Sequence, residues 1–225
     1  MPPLSILIWL PAACGLLGAL IPGGTQTARK WGLPGLLALA GTIVALGLAI
    51  AYIVQYGPDS HGLKDVTDIV WIAELGIHYK LGVSGLNVLL VGLTTLLFFA
   101  AVLALNLRST TKDKGDAATG AGPIDRPRLF YFQFMLAESA VLGAFLAQDL
   151  ALFVAFFDLM LIPFYFLIGA WGEGPDRVKA TIKLVIYTLV GSLLMLAAAI
   201  ATGVLAGEQN GGHITFVLSQ LQGLP

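Results

Sequence analysis

The sequence predicts an all-α fold, a polytopic membrane protein with six transmembrane helices, and two observations support this. Of its 225 residues, 57% are hydrophobic and 11% are charged, with a mean hydropathy of +0.87, whereas soluble domains contain about 25% charged residues. Six apolar runs of roughly 20 residues each are long enough to cross a hydrocarbon core of ~30 Å. The composition therefore excludes a soluble domain.

The six runs give the order of the spans along the chain. They lie at 4–21, 33–54, 81–105, 129–147, 150–170 and 178–205. The third span is expected to begin a few residues later than its run, because Lys80, Ser84 and Asn87 make its first turns polar. The first run has no Lys or Arg before Arg29 and so lacks the basic region of a secretory signal. We therefore expect it to be a transmembrane helix.

The twelve Lys and Arg residues predict the orientation of these spans. Basic residues accumulate in cytoplasmic loops, so the side that holds nine of them is predicted to be the cytoplasm. The other side holds Lys64 and Lys80, and Lys183 lies within a span. The N-terminus is predicted to lie on the side of Lys64 and Lys80, outside the cell (inner) membrane. The nine are Arg29, Lys30, Arg108, Lys112, Lys114, Arg126, Arg128, Arg177 and Lys179.

Two polar segments interrupt this membrane domain of residues 1–225. Residues 57–80 are predicted to form an external loop, in which the apolar alternation of 71–79 indicates a short hairpin or an interfacial strand. Residues 106–128 are rich in Thr, Gly, Ala, Asp and Lys and lack apolar periodicity, so we expect a mobile cytoplasmic loop.

Three ionisable residues, Glu138, Asp158 and Lys183, lie inside the predicted spans. A charge at the centre of a bilayer costs at least ~2.5 kcal/mol, so such residues usually mark an ion or proton path. The alternative is structural: each acid pairs with a neighbouring helix, and Lys183 extends its side chain toward the cytoplasmic face. We favour function for Asp158, while the two explanations are nearly balanced for Glu138 and Lys183.

The segment 147–149 predicts a tight turn between the fourth and fifth spans, with Asp149 as the N-cap of the fifth. Glu138 precedes Gln148 by ten residues and Asp158 follows it by ten, so both carboxyls are expected about 15 Å from the turn. Burial favours the protonated form of a carboxyl, and two acids at mid-membrane are suited to holding and passing one proton.

Lys183 and Pro163 complete the predicted proton site. Reflection about Gly174 places Lys183 level with Tyr165, roughly 10 Å along the axis from Asp158, so contact through water is expected rather than a direct ion pair. Pro163 removes the helical hydrogen bond to the carbonyl of Leu159, and the resulting kink is expected to admit water beside Asp158.

Several other functional classes lack a signature. The formal net charge of -1, without a basic cluster, argues against nucleic-acid binding, and Cys14 is the only cysteine. The three histidines lack metal-ligand spacing, so no metal site is predicted. Nucleotide, phosphate-loop and haem-attachment motifs are absent, which predicts a chain without a cofactor or redox centre of its own.

The residues around the predicted turn resemble a known family, the antiporter-like subunit M (chain 4) of respiratory complex I. The resemblance is strongest in 145–153 and 157–172, continues through 180–183 and 187–195, and includes 81–86 at the start of the third span. It covers roughly 71–205. Glu138 and Lys183 match positions where the family carries those types, whereas Asp158 stands where Glu is usual and Ser84 where Asp is usual.

The resemblance implies a fourteen-helix subunit of which this chain is the N-terminal part. It implies a proton relay through an acid on the fifth helix and lysines on later helices, embedded in the lipid bilayer beside other membrane subunits. NADH, flavin, iron–sulfur clusters and quinone would then belong to partner subunits. The chain ends before the helix that carries the partner lysine in the family. The sequence therefore represents either a fragment or a subunit whose remainder is a separate chain.

Three functional hypotheses follow from the sequence. The leading one is a proton-translocating membrane subunit of an NADH:quinone oxidoreductase, with Asp158 as the central carrier, Glu138 as a neighbouring site and Lys183 modulating it. The first alternative is a subunit of a multi-chain cation/proton antiporter without a redox partner. The second is an inert scaffold in which the charges only hold helices together.

Overall fold

The computed structural model describes residues 4–20, 32–56, 63–72, 76–111, 126–172, 174–209 and 215–221. Six long helices and a two-stranded hairpin dominate these residues, and a four-residue helix follows. In chain order the elements are α1 (Leu4–Leu20), α2 (Leu33–Tyr56), β1 (Lys64–Ile72), β2 (Ile77–Val83), α3 (Gly85–Thr111), α4 (Pro127–Leu146), α5 (Leu150–Trp171), α6 (Arg177–Gln209) and α7 (Leu218–Leu221).

Helices α1 to α6 correspond to the six predicted spans. Among the described helices, α2 to α6 are long and apolar enough to cross a membrane, and α1 is an apolar helix of 17 residues. The expected late start of the third span is confirmed, because α3 begins at Gly85 and residues 81–83 belong to β2. The apolar run begins before the helix because Leu81 and Val83 are apolar as buried strand residues.

The predicted hairpin is present, with β1 and β2 antiparallel. The boundaries of the predicted 106–128 loop differ from the structure, because α3 continues to Thr111 and α4 begins at Pro127. The helix persists because Asn106 is buried and bonded: its Nδ2 donates to Val102 O and to Gly35 O on α2, and its Oδ1 accepts from Tyr131 on α4. Residues 112–125 of that loop lie outside the described part of the chain.

Helix α4 is the central helix of the described bundle and packs against α1, α2, α3 and α5. Its contact with α1 is close, because Gly15 of α1 lies against Met135 of α4. The Ser139 hydroxyl of α4 accepts a hydrogen bond from Ala12 N at 2.9 Å. Ala12 directly follows Pro11, which lacks an N–H, so α4 supports α1 at its interrupted turn.

The turn between α4 and α5 is held from both sides by backbone hydrogen bonds. Gln148 N donates to Lys80 O of β2 at 2.8 Å, and Leu150 N donates to Phe216 O at 2.9 Å. Asp149 caps α5 as predicted, because its side chain accepts from Ala151 N and Leu152 N. The same carboxylate also accepts from His78 N, so the hairpin is joined to the start of α5.

The hairpin carries an exposed ionic cluster that makes its stability depend on pH. Asp68 Oδ1 lies 2.7 Å from His78 Nδ1, and Asp68 Oδ2 lies 3.4 Å from Lys80 Nζ. Partial burial acts to raise the pKa of Asp68, but the hydrogen bond with His78 and the charge of Lys80 outweigh it, so the pKa lies below its ordinary value of 3.8. Because the folded value is the lower one, the stabilisation is present above pH 3.8 and is lost as pH falls through the folded pKa.

We expect hydrogen exchange of the β1 and β2 amides, corrected for intrinsic rates, to show this loss of protection on acidification. The effect should not exceed about 1 kcal/mol, because the Asp68 side chain is 40% exposed. In Asp68→Asn the acid-induced step should disappear while protection of α4 is unchanged. An identical step in the variant would show that another group is responsible.

Candidate functional site

Glu138 is enclosed by the helix bundle. Its side chain has no solvent exposure, and neither of its carboxylate oxygens has a hydrogen-bond partner among the described residues. Since an ionised carboxylate without partners is very costly in such a place, this site favours a carboxyl that holds its proton.

The direction in which the Glu138 side chain points follows from its angular position around the axis of α4. At about 100° per residue, Glu138 lies on the same face as Tyr131, which donates to Asn106 Oδ1 on α3. It lies about 140° away from Gly143, the point at which α4 meets Phe156 of α5. Glu138 therefore faces the interior formed with α1, α2 and α3 and is turned away from α5.

Asp158 lies at the same depth as Glu138 but on a different interface. Glu138 precedes the end of α4 at Leu146 by eight residues, and Asp158 follows the start of α5 at Leu150 by the same number. Asp158 is about 200° around α5 from Phe156, so it faces away from α4. The expected equal depth is therefore met, but the two carboxyls do not form a direct pair.

Asp158 is half-buried, and its Oδ1 is buried without a hydrogen-bond partner within the described residues. Helix α5 is continuous across Pro163, which is itself buried. Because Asp158 and Gly169 are eleven residues apart, they share one face of α5, and Gly169 contacts Thr181 of α6. Ile162 and Tyr165 lie between them on this face and are exposed, so α6 covers the face of Asp158 only in part.

Lys183 is placed apart from both acids. It lies two residues after Thr181 and therefore points away from the α5 contact, and its side chain is exposed. In the described part of the chain it forms no ion pair. The sequence expectation that Lys183 and Asp158 do not pair directly agrees with this placement, and an exposed ammonium can meet a further helix or lipid headgroups.

Sequence reasoning missed the serines that face the central helices. Ser139 was noted only as a neighbour of Glu138, yet it joins α4 to α1. Ser192 was noted only as part of a small-residue pair, yet it is 2% exposed on α6. The available signal was spacing: Thr181 and Ser192 are eleven residues apart and share one face of α6. No group of three His, Cys, Asp or Glu residues able to hold a metal ion occurs in the described ranges.

The contact between α4 and α5 depends on Gly143. A Cβ at this position would collide with the buried ring of Phe156. We expect Gly143→Ala to cost about 1–3 kcal/mol and to lower the thermal midpoint of the solubilised protein, because overpacked cores respond on this scale. Gly47→Ala is the control, since no described atom lies within 4 Å of a Cβ there. An unchanged midpoint in Gly143→Ala, or an equal loss in both variants, would contradict the prediction.

The helical bundle, the enclosed Glu138 and the half-buried Asp158 define a polytopic membrane protein with intramembrane acids. A family model described as "NADH:quinone oxidoreductase/Mrp antiporter, TM" matches residues 147–219. NADH-quinone oxidoreductase subunit M of Rhodobacter capsulatus is 34% identical over 92% of this chain and 37% of its own length. The subunit M of Mycobacterium tuberculosis (strain H37Rv) is also 34% identical, over 96% and 41%.

Two solved structures of membrane complexes also match the chain. A chain of respiratory complex I from Thermus thermophilus with bound NADH matches with a TM-score of 0.73 and 27% identity, over 99% of this chain and 39% of that one. A chain of the archaeal membrane-bound sulfane sulfur reductase shares the fold, with a TM-score of 0.60 and 16% identity. Over nearly its whole length the chain is thus similar to subunit M (chain 4) of NADH-quinone oxidoreductases. It spans about 40% of the length of the curated relatives it matches.

Proposed function

We propose that this chain is part of a proton-translocating membrane subunit of an NADH:quinone oxidoreductase and lies in a cell (inner) membrane with its N-terminus outside. The observation that carries the proposal is two carboxyls at one depth in apolar helices, the enclosed Glu138 and the half-buried Asp158. Neither has a neutralising partner among the described residues. Groups this costly in a membrane are typical of proton paths.

In this proposal Asp158 is the central proton carrier and Glu138 is a neighbouring site on the other side of the α4–α5 contact. Because the two carboxyls face different interfaces, a proton passes between them through water and not through a direct hydrogen bond. Lys183 modulates the relay from the outer face of α6, where its ammonium is free to approach a further helix. The shorter reach of Asp158 compared with a Glu makes that modulation sensitive to side-chain length.

The energy for translocation comes from partner subunits in this proposal. NADH, flavin, iron–sulfur clusters and quinone are bound there, and this chain contributes the membrane path. Its direct partners are other complex I membrane subunits and the lipid bilayer, on which the exposed apolar faces of α3 and α6 would rest. The oxidoreductase activity belongs to the whole complex.

The test is NADH-driven proton translocation in native membranes that carry Asp158→Asn. A lower proton yield per electron at normal complex abundance supports the proposal, and an unchanged yield overturns the role of Asp158.

The second candidate is a subunit of a multi-chain cation/proton antiporter. The description of the matching family model supports this candidate, because the description names the Mrp antiporter as well as the oxidoreductase. Gentle purification from native membranes followed by mass spectrometry distinguishes the two. Accompanying subunits that handle NADH and quinone support the oxidoreductase, whereas antiporter chains alone support the second candidate.

A further inference from the structure

A cavity of about 640 Å³ lies between α1, α5 and the hairpin. Helices α1 and α5 both pack on α4. The ring of Trp9 on α1 meets the ring of Phe156 on α5, with centroids 6.1 Å apart, and both rings line the cavity. Ala155 of the cavity wall is exposed, so the cavity opens at the surface of the described bundle.

The cavity extends along α5 from the hairpin to the depth of the acids. Its wall includes Ile69 and Tyr79, which are paired across the hairpin, and it reaches Leu159 on α5. Because α5 starts at Leu150, Leu159 lies about 13 Å from that end of the helix. A bilayer with a hydrocarbon core of ~30 Å presents acyl chains over most of this depth.

The wall of the cavity indicates the chemistry of its occupant. The residues that line it carry no charge, and most of them are aliphatic or aromatic. The nearest charges on the hairpin belong to the pair of Asp68 and Lys80, which follows the pair of Ile69 and Tyr79 in the register and so lies on the opposite face. An apolar cavity with charges only at one end fits an amphipathic molecule whose polar group lies at the hairpin.

The size of the cavity favours a flexible chain over a helix. Along α5 its wall extends from Leu152 to Leu159, which is about 10 Å. A helix at least 10 Å wide fills roughly 800 Å³ over this length, more than the cavity holds. Inside a membrane, packing contacts rather than water exclusion hold apolar groups together, and a void forfeits those contacts. A chain of methylenes restores them.

We propose that this cavity is a lipid site that holds an acyl chain of a membrane phospholipid, with the headgroup at the level of the hairpin. The chain fills the space between Trp9, Phe156 and Leu159 and thereby supports the hairpin over the start of α5. The site goes beyond the proton relay, because none of Glu138, Asp158 and Lys183 lines it.

The test uses the full-length protein in its native complex, reconstituted into vesicles of phosphatidylcholine that carries a diazirine on the acyl chain. After illumination, peptide mapping locates the cross-linked residues. We expect the cavity wall on α5, residues 152–159, to be labelled more strongly than the exposed face of α3. In Ala155→Trp the indole fills the cavity, and labelling of the wall should fall by about tenfold or more, since overpacking of a filled site is costly.

Ala100→Trp is the matched control, because Ala100 is an exposed alanine of α3 outside the cavity. It should leave labelling of the wall unchanged. Labelling of the wall that persists in Ala155→Trp would overturn the proposal, and so would wild-type labelling of the wall no stronger than that of α3, which indicates only annular lipid. A disulfide or cross-link from Ala155→Cys to another membrane helix, with no lipid label on the wall, would show that protein occupies the cavity and would also overturn it.

Discussion

Asp158→Asn is expected to abolish most of the proton flux that passes through this subunit while the helices remain packed. Asparagine matches aspartate in size and cannot carry a proton, and loss of a positioned proton-transfer group commonly costs about a hundredfold or more in rate. The fold should tolerate the change, because Asp158 Oδ1 has no hydrogen-bond partner within the described residues that the amide would lose. NADH-driven proton uptake by membrane vesicles, divided by NADH oxidised, measures the effect.

Asp158→Glu is the matched control for this experiment. It keeps the carboxyl and adds the methylene that the family usually carries at this position, so we expect proton translocation to be retained. The scaffold hypothesis makes a different prediction. If the acid only holds helices together, Asp158→Asn should reduce assembled complex and translocation in equal proportion, so the yield per assembled complex would stay at the wild-type level.

The spans and the depth of the acids were predictable because they depend on local sequence. Apolar run length determined α1 to α6, and the short segment 147–149 determined that Glu138 and Asp158 lie at one depth. Asp149 was predictable as a cap because its side chain accepts from Ala151 N and Leu152 N, two and three residues later in the same helix. The strand at 81–83 was not, since an apolar run of three residues fits a strand as well as a helix and only its pairing with β1 decides.

The rotation of each helix about its own axis, which decides the neighbour that each side chain faces, was not predictable. It is set by contacts between residues distant in the chain. Gly143 against Phe156 turns Glu138 and Asp158 away from each other, and Gly169 against Thr181 sets where α6 packs on α5. Depth alone suggested a pair of acids sharing one proton. The structure instead gives two separate carboxyl sites on opposite sides of one helix contact, so each can be altered without touching the other.

Because the two sites are separate, Glu138→Leu tests Glu138 alone. We expect this variant to raise the stability of the protein and to lower proton translocation. Leucine fits the apolar interior, and removing a buried group without partners should raise the free energy of unfolding by about 1–3 kcal/mol, seen as a higher thermal midpoint. Proton translocation per NADH should fall, because a site of the relay is gone. Glu138→Gln should lose translocation without the gain in stability, since its amide stays buried and unpartnered. A Glu138→Leu protein that is more stable and still translocates normally would remove Glu138 from the relay and leave Asp158 as its sole acid in this chain.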